Sequence, residues 1–87
     1  MKTEFTLGRS ASNDIVIENP VVGREHLLIS FKSENEIVIE DLNTNNATFV
    51  NNIRIKRKSV TPNDTIFLGS YELNSKFLFS EIIKKVN

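Results

Sequence analysis

Leu27, Ile29 and Phe31 form one side of an alternating pattern whose other side is Leu28, Ser30 and Lys32. Ile37 and Ile39 repeat it against Glu36, Val38 and Glu40, and Phe5 and Leu7 alternate with polar neighbours as far as Gly8. Apolar positions spaced by two predict half-buried strands, because successive side chains leave opposite faces of a sheet. Shorter apolar runs at 14–17, 66–68, 71–73 and 77–79 predict further strands, with Phe77 to Phe79 closing a sheet. Turn chemistry separates these runs. Ser33-Glu34-Asn35 reads as a hairpin loop, and Val50-Asn51-Asn52-Ile53 as a two-residue hairpin, since asparagine tolerates positive φ. Thr61-Pro62-Asn63-Asp64 reads as a type I turn, with proline pre-setting φ at its second position. Only Ser80 to Val86 has the makings of a helix, a short terminal one or a disordered tail. Many short strands without strand–helix alternation predict an all-β sandwich of two twisted, mainly antiparallel sheets.

Composition narrows the chemistry. The 87 residues are expected to form one domain, 1–87. Cysteine is absent, which removes disulfides, thiolate metal sites and cysteine nucleophiles together. Eleven cationic and eleven anionic side chains cancel, against the basic field that non-specific nucleic-acid binding needs. No apolar run approaches the ~20 residues of a membrane helix, and Met1 leads almost directly into a strand pattern, so no signal peptide is expected and the cytoplasm is the default. His26 is the one histidine, no nucleophile-elbow pattern accompanies it, and the three glycines are scattered instead of forming a phosphate cradle. The reading is a binding module, not an enzyme, with no metal or cofactor.

Four polar segments then stand where strands give way to loops: Gly8-Arg9-Ser10, Ser12-Asn13-Asp14-Ile15, Arg24-Glu25-His26, and Asp41 to Asn52, DLNTNNATFVNN. In this order and spacing, from about Phe5 to Phe79, the chain resembles the forkhead-associated (FHA) domain, a module that reads phosphothreonine. The resemblance implies an FHA-type β-sandwich whose loops at one apex hold a threonine-phosphorylated partner in extended form, as an adaptor in signalling or assembly. Three loops qualify: 9–13, 18–25 and 43–47.

By that resemblance Arg9 makes the principal phosphate contact, a role that suits a permanently charged planar fork of donors. The family usually has serine, two variable residues and histidine where this chain has Gly23-Arg24-Glu25-His26, so Gly23 stands at a hydroxyl donor's place. Glycine lets a backbone N–H approach a ligand closely, and Arg24 adds a cation next door. Asn45 stands where a threonine or similar residue helps bind phosphate. Asn46 matches the asparagine that grips the ligand backbone, and Thr44 precedes both on the peptide side. The bland reading of these asparagines is local Asx-turns. Gly8, Asn13 and His26 are expected to brace the loops. Ala47 replaces the family's usual glycine after that asparagine and is expected to resist positive φ and alter the loop's shape.

Two alternatives stay open from the residues. One is an FHA frame that associates with proteins, including copies of itself, without phosphorylation, motivated by Gly23 and Ala47. The other is a nucleic-acid contact through 54–58, where a single strand would put Arg54, Lys56 and Lys58 on one face and Ile53, Ile55 and Arg57 on the other. The plainer account of those cations is an edge strand guarded against aggregation.

Overall fold

A computed structural model describes residues 1–42 and 44–87; Asn43, which opens the third predicted loop, lies outside the described residues. Its first sheet takes strands from both halves of the chain. At its centre, β3 (Leu27–Ser33) and β4 (Glu36–Asp41) form the predicted hairpin, with Ile29 opposite Ile39 and Phe31 opposite Ile37. On the β3 side, β1 (Glu4–Gly8) pairs antiparallel, and β2 (Ile15–Val16) follows it in a short parallel pairing. On the β4 side the sheet ends at β7 (Arg57–Val60). The second sheet runs in the order β6 (Ile53–Ile55), β5 (Thr48–Val50), β8 (Ile66–Leu68), β9 (Tyr71–Leu73).

The predicted alternation sets which face is dry. Phe5, Leu7, Leu27, Ile29, Ile37 and Ile39 from the first sheet meet Val50, Ile66, Leu68 and Leu73 from the second in one buried cluster. A one-residue register slip would move each set to solvent, so burial specifies the pairing. The two-residue hairpin after β5 also forms as read: Asn51 and Asn52 have φ of 51° and 69°, the doubly left-handed pattern of a type I′ turn. At the Thr61 turn, Asp64 N–H reaches Thr61 C=O at 3.1 Å, while the Asp64 carboxylate takes the Thr61 N–H at 2.7 Å.

Two expectations are corrected. Phe77 to Phe79 is not a strand: it lies in helix α1 (Ser75–Val86), which begins five residues before the expected terminal helix. Asn74 caps it, its side chain accepting the Phe77 N–H at 2.9 Å. Beyond that cap Leu78, Phe79 and Ile82 are buried and Val86 packs beside them, a helical stripe, while Phe77 stays 47% exposed. An apolar run of three residues has no period and cannot separate strand from buried helix. Nor do 54–58 form one strand. The chain bends at Lys56, leaving Arg54 on the edge of one sheet and Lys58 on the edge of the other, and Lys56 Nζ donates to Asp41 C=O at 2.8 Å. The shared basic face on which a nucleic-acid contact rested is therefore absent. Among the described residues no helix is long and apolar enough to cross a membrane.

Candidate functional site

The loops after β1 and β2 are joined backbone to backbone. Gly8 ends β1 so close to the second loop that an added Cβ would stand 2.1 Å from Arg24 O, an approach open only to glycine. Arg24 O accepts the Ser10 N–H at 3.2 Å and Asn13 Nδ2 at 2.7 Å, and Asn13 Nδ2 also donates to Ser10 O at 2.8 Å. Arg9 N–H reaches Gly23 O at 2.9 Å. Gly8 and Asn13 thus lie inside the seam between the two loops.

His26, fully buried, ties in the third loop. Its Nδ1 accepts the Gly23 N–H at 2.8 Å, so the ring proton of the neutral form sits on Nε2, facing Ala47 O at 3.1 Å and Thr44 Oγ1 at 3.2 Å. Burial pushes the His26 pKa below its ordinary value, against the opposing pull of Ala47 C=O and Asp41. The ring is consequently neutral near pH 7, and its 3.7 Å spacing from Asp41 is not an ion pair there. Burial also pushes the Asp41 carboxyl upward, but the Thr48 hydroxyl at 2.6 Å and the Thr44 N–H and hydroxyl, each at 3.0 Å, outweigh it and hold Asp41 below the usual carboxylate range.

This network revises two expectations about the departures from the family pattern. The Gly23 N–H does not point to a ligand, because His26 already takes it. Ala47 does adopt positive φ, 64°, rather than forcing a different loop. Its N–H is taken by Thr44 Oγ1 at 3.1 Å and its C=O by the Gly69 N–H at 3.0 Å and His26, so surrounding bonds hold a conformation alanine alone disfavours. Thr44, expected beside the peptide, has its hydroxyl engaged in the same frame, and its methyl lies 2.8 Å from where a Cβ on Gly23 would stand.

Between the three loops lies an open cleft of about 480 Å³ lined by Arg9, Val22, Gly23, Arg24, Asn45 and Asn46, among others. Arg9 Nε donates to Val22 O at 3.1 Å, which fixes the guanidinium by one edge and leaves its two terminal nitrogens for another partner. Asn46 Nδ2 donates to Val21 O at 2.7 Å, leaving its carbonyl oxygen. Arg24 and Asn45 are exposed, and neither side chain has a hydrogen-bond partner among the described residues. Two cations and two amides therefore line one rim. Asp41 and Thr48, which hold the frame, were not among the residues singled out from sequence. The Asp41-x-x-Thr44 spacing, in which a carboxylate accepts the N–H three residues on, is the signal that could have found Asp41.

The FHA domain model matches residues 5–69. Among solved structures, one determined in a study of phosphothreonine-dependent FHA domain interactions is 28% identical, with a TM-score of 0.74 over 83% of this chain and 74% of that one. The FHA domain of FhaA, complexed with the intracellular domain of Rv3910, is also 28% identical at a TM-score of 0.74, over 83% and 78% of the two chains. Mycobacterium tuberculosis EmbR, in complex with a low-affinity phosphopeptide, is 30% identical at a TM-score of 0.71, over 83% of this chain but 19% of EmbR. No curated protein matches the chain. The two-sheet frame and the family model agree in extent, and the chain belongs to the FHA domain family.

Proposed function

We propose that this domain binds phosphothreonine in an extended partner peptide, with Arg9 and Arg24 on the phosphate, Asn45 beside them and Asn46 on the peptide backbone. One observation carries the reading: Arg9 is held by its Nε on Val22 O, at the cleft between the loops, with both terminal nitrogens uncommitted. A phosphate monoester carries about −1.5 to −2 charges at pH 7 and matches such a fork. Fixing the guanidinium beforehand reduces the side-chain ordering that binding would otherwise require. Asn46 is similarly anchored by its amide nitrogen, so its oxygen is placed to accept a peptide N–H. With the Gly23 N–H engaged internally, the phosphate would rest mainly on cations, and affinity should fall with added salt.

The test is an NMR titration with a phosphothreonine peptide pool, alongside unphosphorylated and phosphoserine pools. Shifts are expected around Arg9, Arg24 and Asn46 with the phosphothreonine pool alone. Arg9→Ala should weaken binding by about 10- to 150-fold, the equivalent of one charge-assisted hydrogen bond. Silence at millimolar peptide, or equal binding by Arg9→Ala, would overturn the assignment.

A further inference from the structure

The outer face of the second sheet carries a row that is complementary to itself. Strand register places Arg54 beside Phe49, Phe49 beside Phe67, and Phe67 beside Glu72, one residue from each of the four strands. Phe49 and Phe67 are only half-buried and neither joins the core cluster, whereas their strand neighbours Thr48, Val50, Ile66 and Leu68 are buried on the opposite face. A shallow depression lies over the two rings, bounded by Asn52 and Gly69. The charges at the ends, Arg54 and Glu72, are exposed and have no ion-pair or hydrogen-bond partner among the described residues. Other exposed charges, Glu18, Glu25 and Lys32 among them, are likewise without a partner among the described residues, so what sets Arg54 and Glu72 apart is their place at opposite ends of one aromatic row.

We infer that this face docks a second copy of the same chain. A two-fold axis along the strand direction, passing between β5 and β8, turns the row end for end. It sets Arg54 opposite the other copy's Glu72, and Phe49 opposite its Phe67. An axis along the row would instead oppose Arg54 with Arg54 and Glu72 with Glu72, so the charges select one orientation and reject the other. Sheets packed face to face keep their strands nearly aligned, as the first axis requires. The face is about 14 Å across and 10 Å along the strands, so the contact falls below the ~1,200 Å² of stable interfaces and the pair forms weakly. Because the axis follows the strands, both loop clusters lie at the same end of the pair. A partner with two phosphothreonines would then meet two sites at once, a consequence that rests on the proposed function although the pairing itself does not.

Sedimentation velocity without any peptide tests the pairing. The chain is expected to grow in average mass with concentration up to about 1 mM, consistent with a weak interface. Arg54→Glu and Glu72→Arg, both at exposed positions, should each abolish that growth, since their rows carry like charges at both ends. An equimolar mixture of the two variants should associate again, because one row is then acidic at both ends and the other basic at both. A wild-type chain that stays monomeric throughout would overturn the proposal, as would single variants that associate like the wild type or a mixture that fails to pair.

Discussion

Gly23 and His26 stand in a donor–acceptor relationship across the second loop, the Gly23 N–H reaching His26 Nδ1 at 2.8 Å. That bond requires an unprotonated Nδ1, so protonation sets two donors against each other in a site closed to water.

The consequence is a pH dependence of stability. His26 has a folded-state pKa below the ordinary 6.5, so the unfolded chain binds more protons in that window. The stabilisation is complete above about pH 6.5 and is lost as the pH falls towards the depressed folded value. Asp14, Asp41 and Asp64 are also lowered, from an ordinary 3.8, and their share is lost only below that value. Urea unfolding should show stability declining as the pH falls below 6.5, before the carboxylates titrate. His26→Gln should be less stable at pH 8 by roughly 1–3 kcal/mol and lack that decline. An unchanged slope in the variant would rule out His26 as its source.

Gly8→Ala should be severely destabilising, because its Cβ would meet the Arg24 carbonyl, which is backbone and cannot rotate away. The expected loss is about 3 kcal/mol, at the upper end of overpacking. Amide spectra should show shifts concentrated at 8–13 and 22–26. A variant within ~0.5 kcal/mol of wild type, as for ordinary surface changes, would contradict the close approach.

Restoring a hydroxyl at position 23 should not work alone. A side chain there would press on the Thr44 methyl, which is held by the bonds of Thr44 Oγ1 to Asp41 and Ala47. Gly23→Ser is expected to destabilise the domain, whereas Gly23→Ser with Thr44→Ser removes that methyl and keeps its hydroxyl. A double-mutant cycle should give a coupling of about 0.5–3 kcal/mol, and additive effects would show that the two positions do not compete for space.

Asn74→Ala should lower stability by about 1 kcal/mol through loss of the helix cap, measured by urea midpoint. Amide hydrogen exchange should quicken first in the helix's opening turns, beyond the lost cap. If Phe77 to Phe79 were a strand, the substitution would have almost no effect.

The turn after β5 offers a change in the opposite direction. Asn52 has φ of 69° and is exposed, so Asn52→Gly should raise the unfolding midpoint slightly and Asn52→Ala lower it by about 1 kcal/mol. Equal midpoints for the two would mean that the turn is not left-handed in solution.

Period-two spacing alone determined most of the sandwich, because Leu27 to Phe31 and Ile37 to Ile39 have only one register that buries both sets. The same local rules specified the Asn51-Asn52 turn. They failed where a short apolar run fits strand and helix equally: Phe77-Leu78-Phe79 carries no period of its own, and only its place beyond the Asn74 cap and against the core makes it helix. They failed again at Lys56, where one basic run crosses between two sheets, a choice made by pairing partners far away in sequence. At the candidate site the chain's order supplied Arg9, Arg24, Asn45 and Asn46 as chemistry. Which donors remain available was decided by tertiary structure, since a hydrogen bond engages a group only when distant loops are brought within about 3 Å. The Gly23 N–H and the Thr44 hydroxyl point inward for that reason, and Arg9 keeps its terminal nitrogens for that same reason.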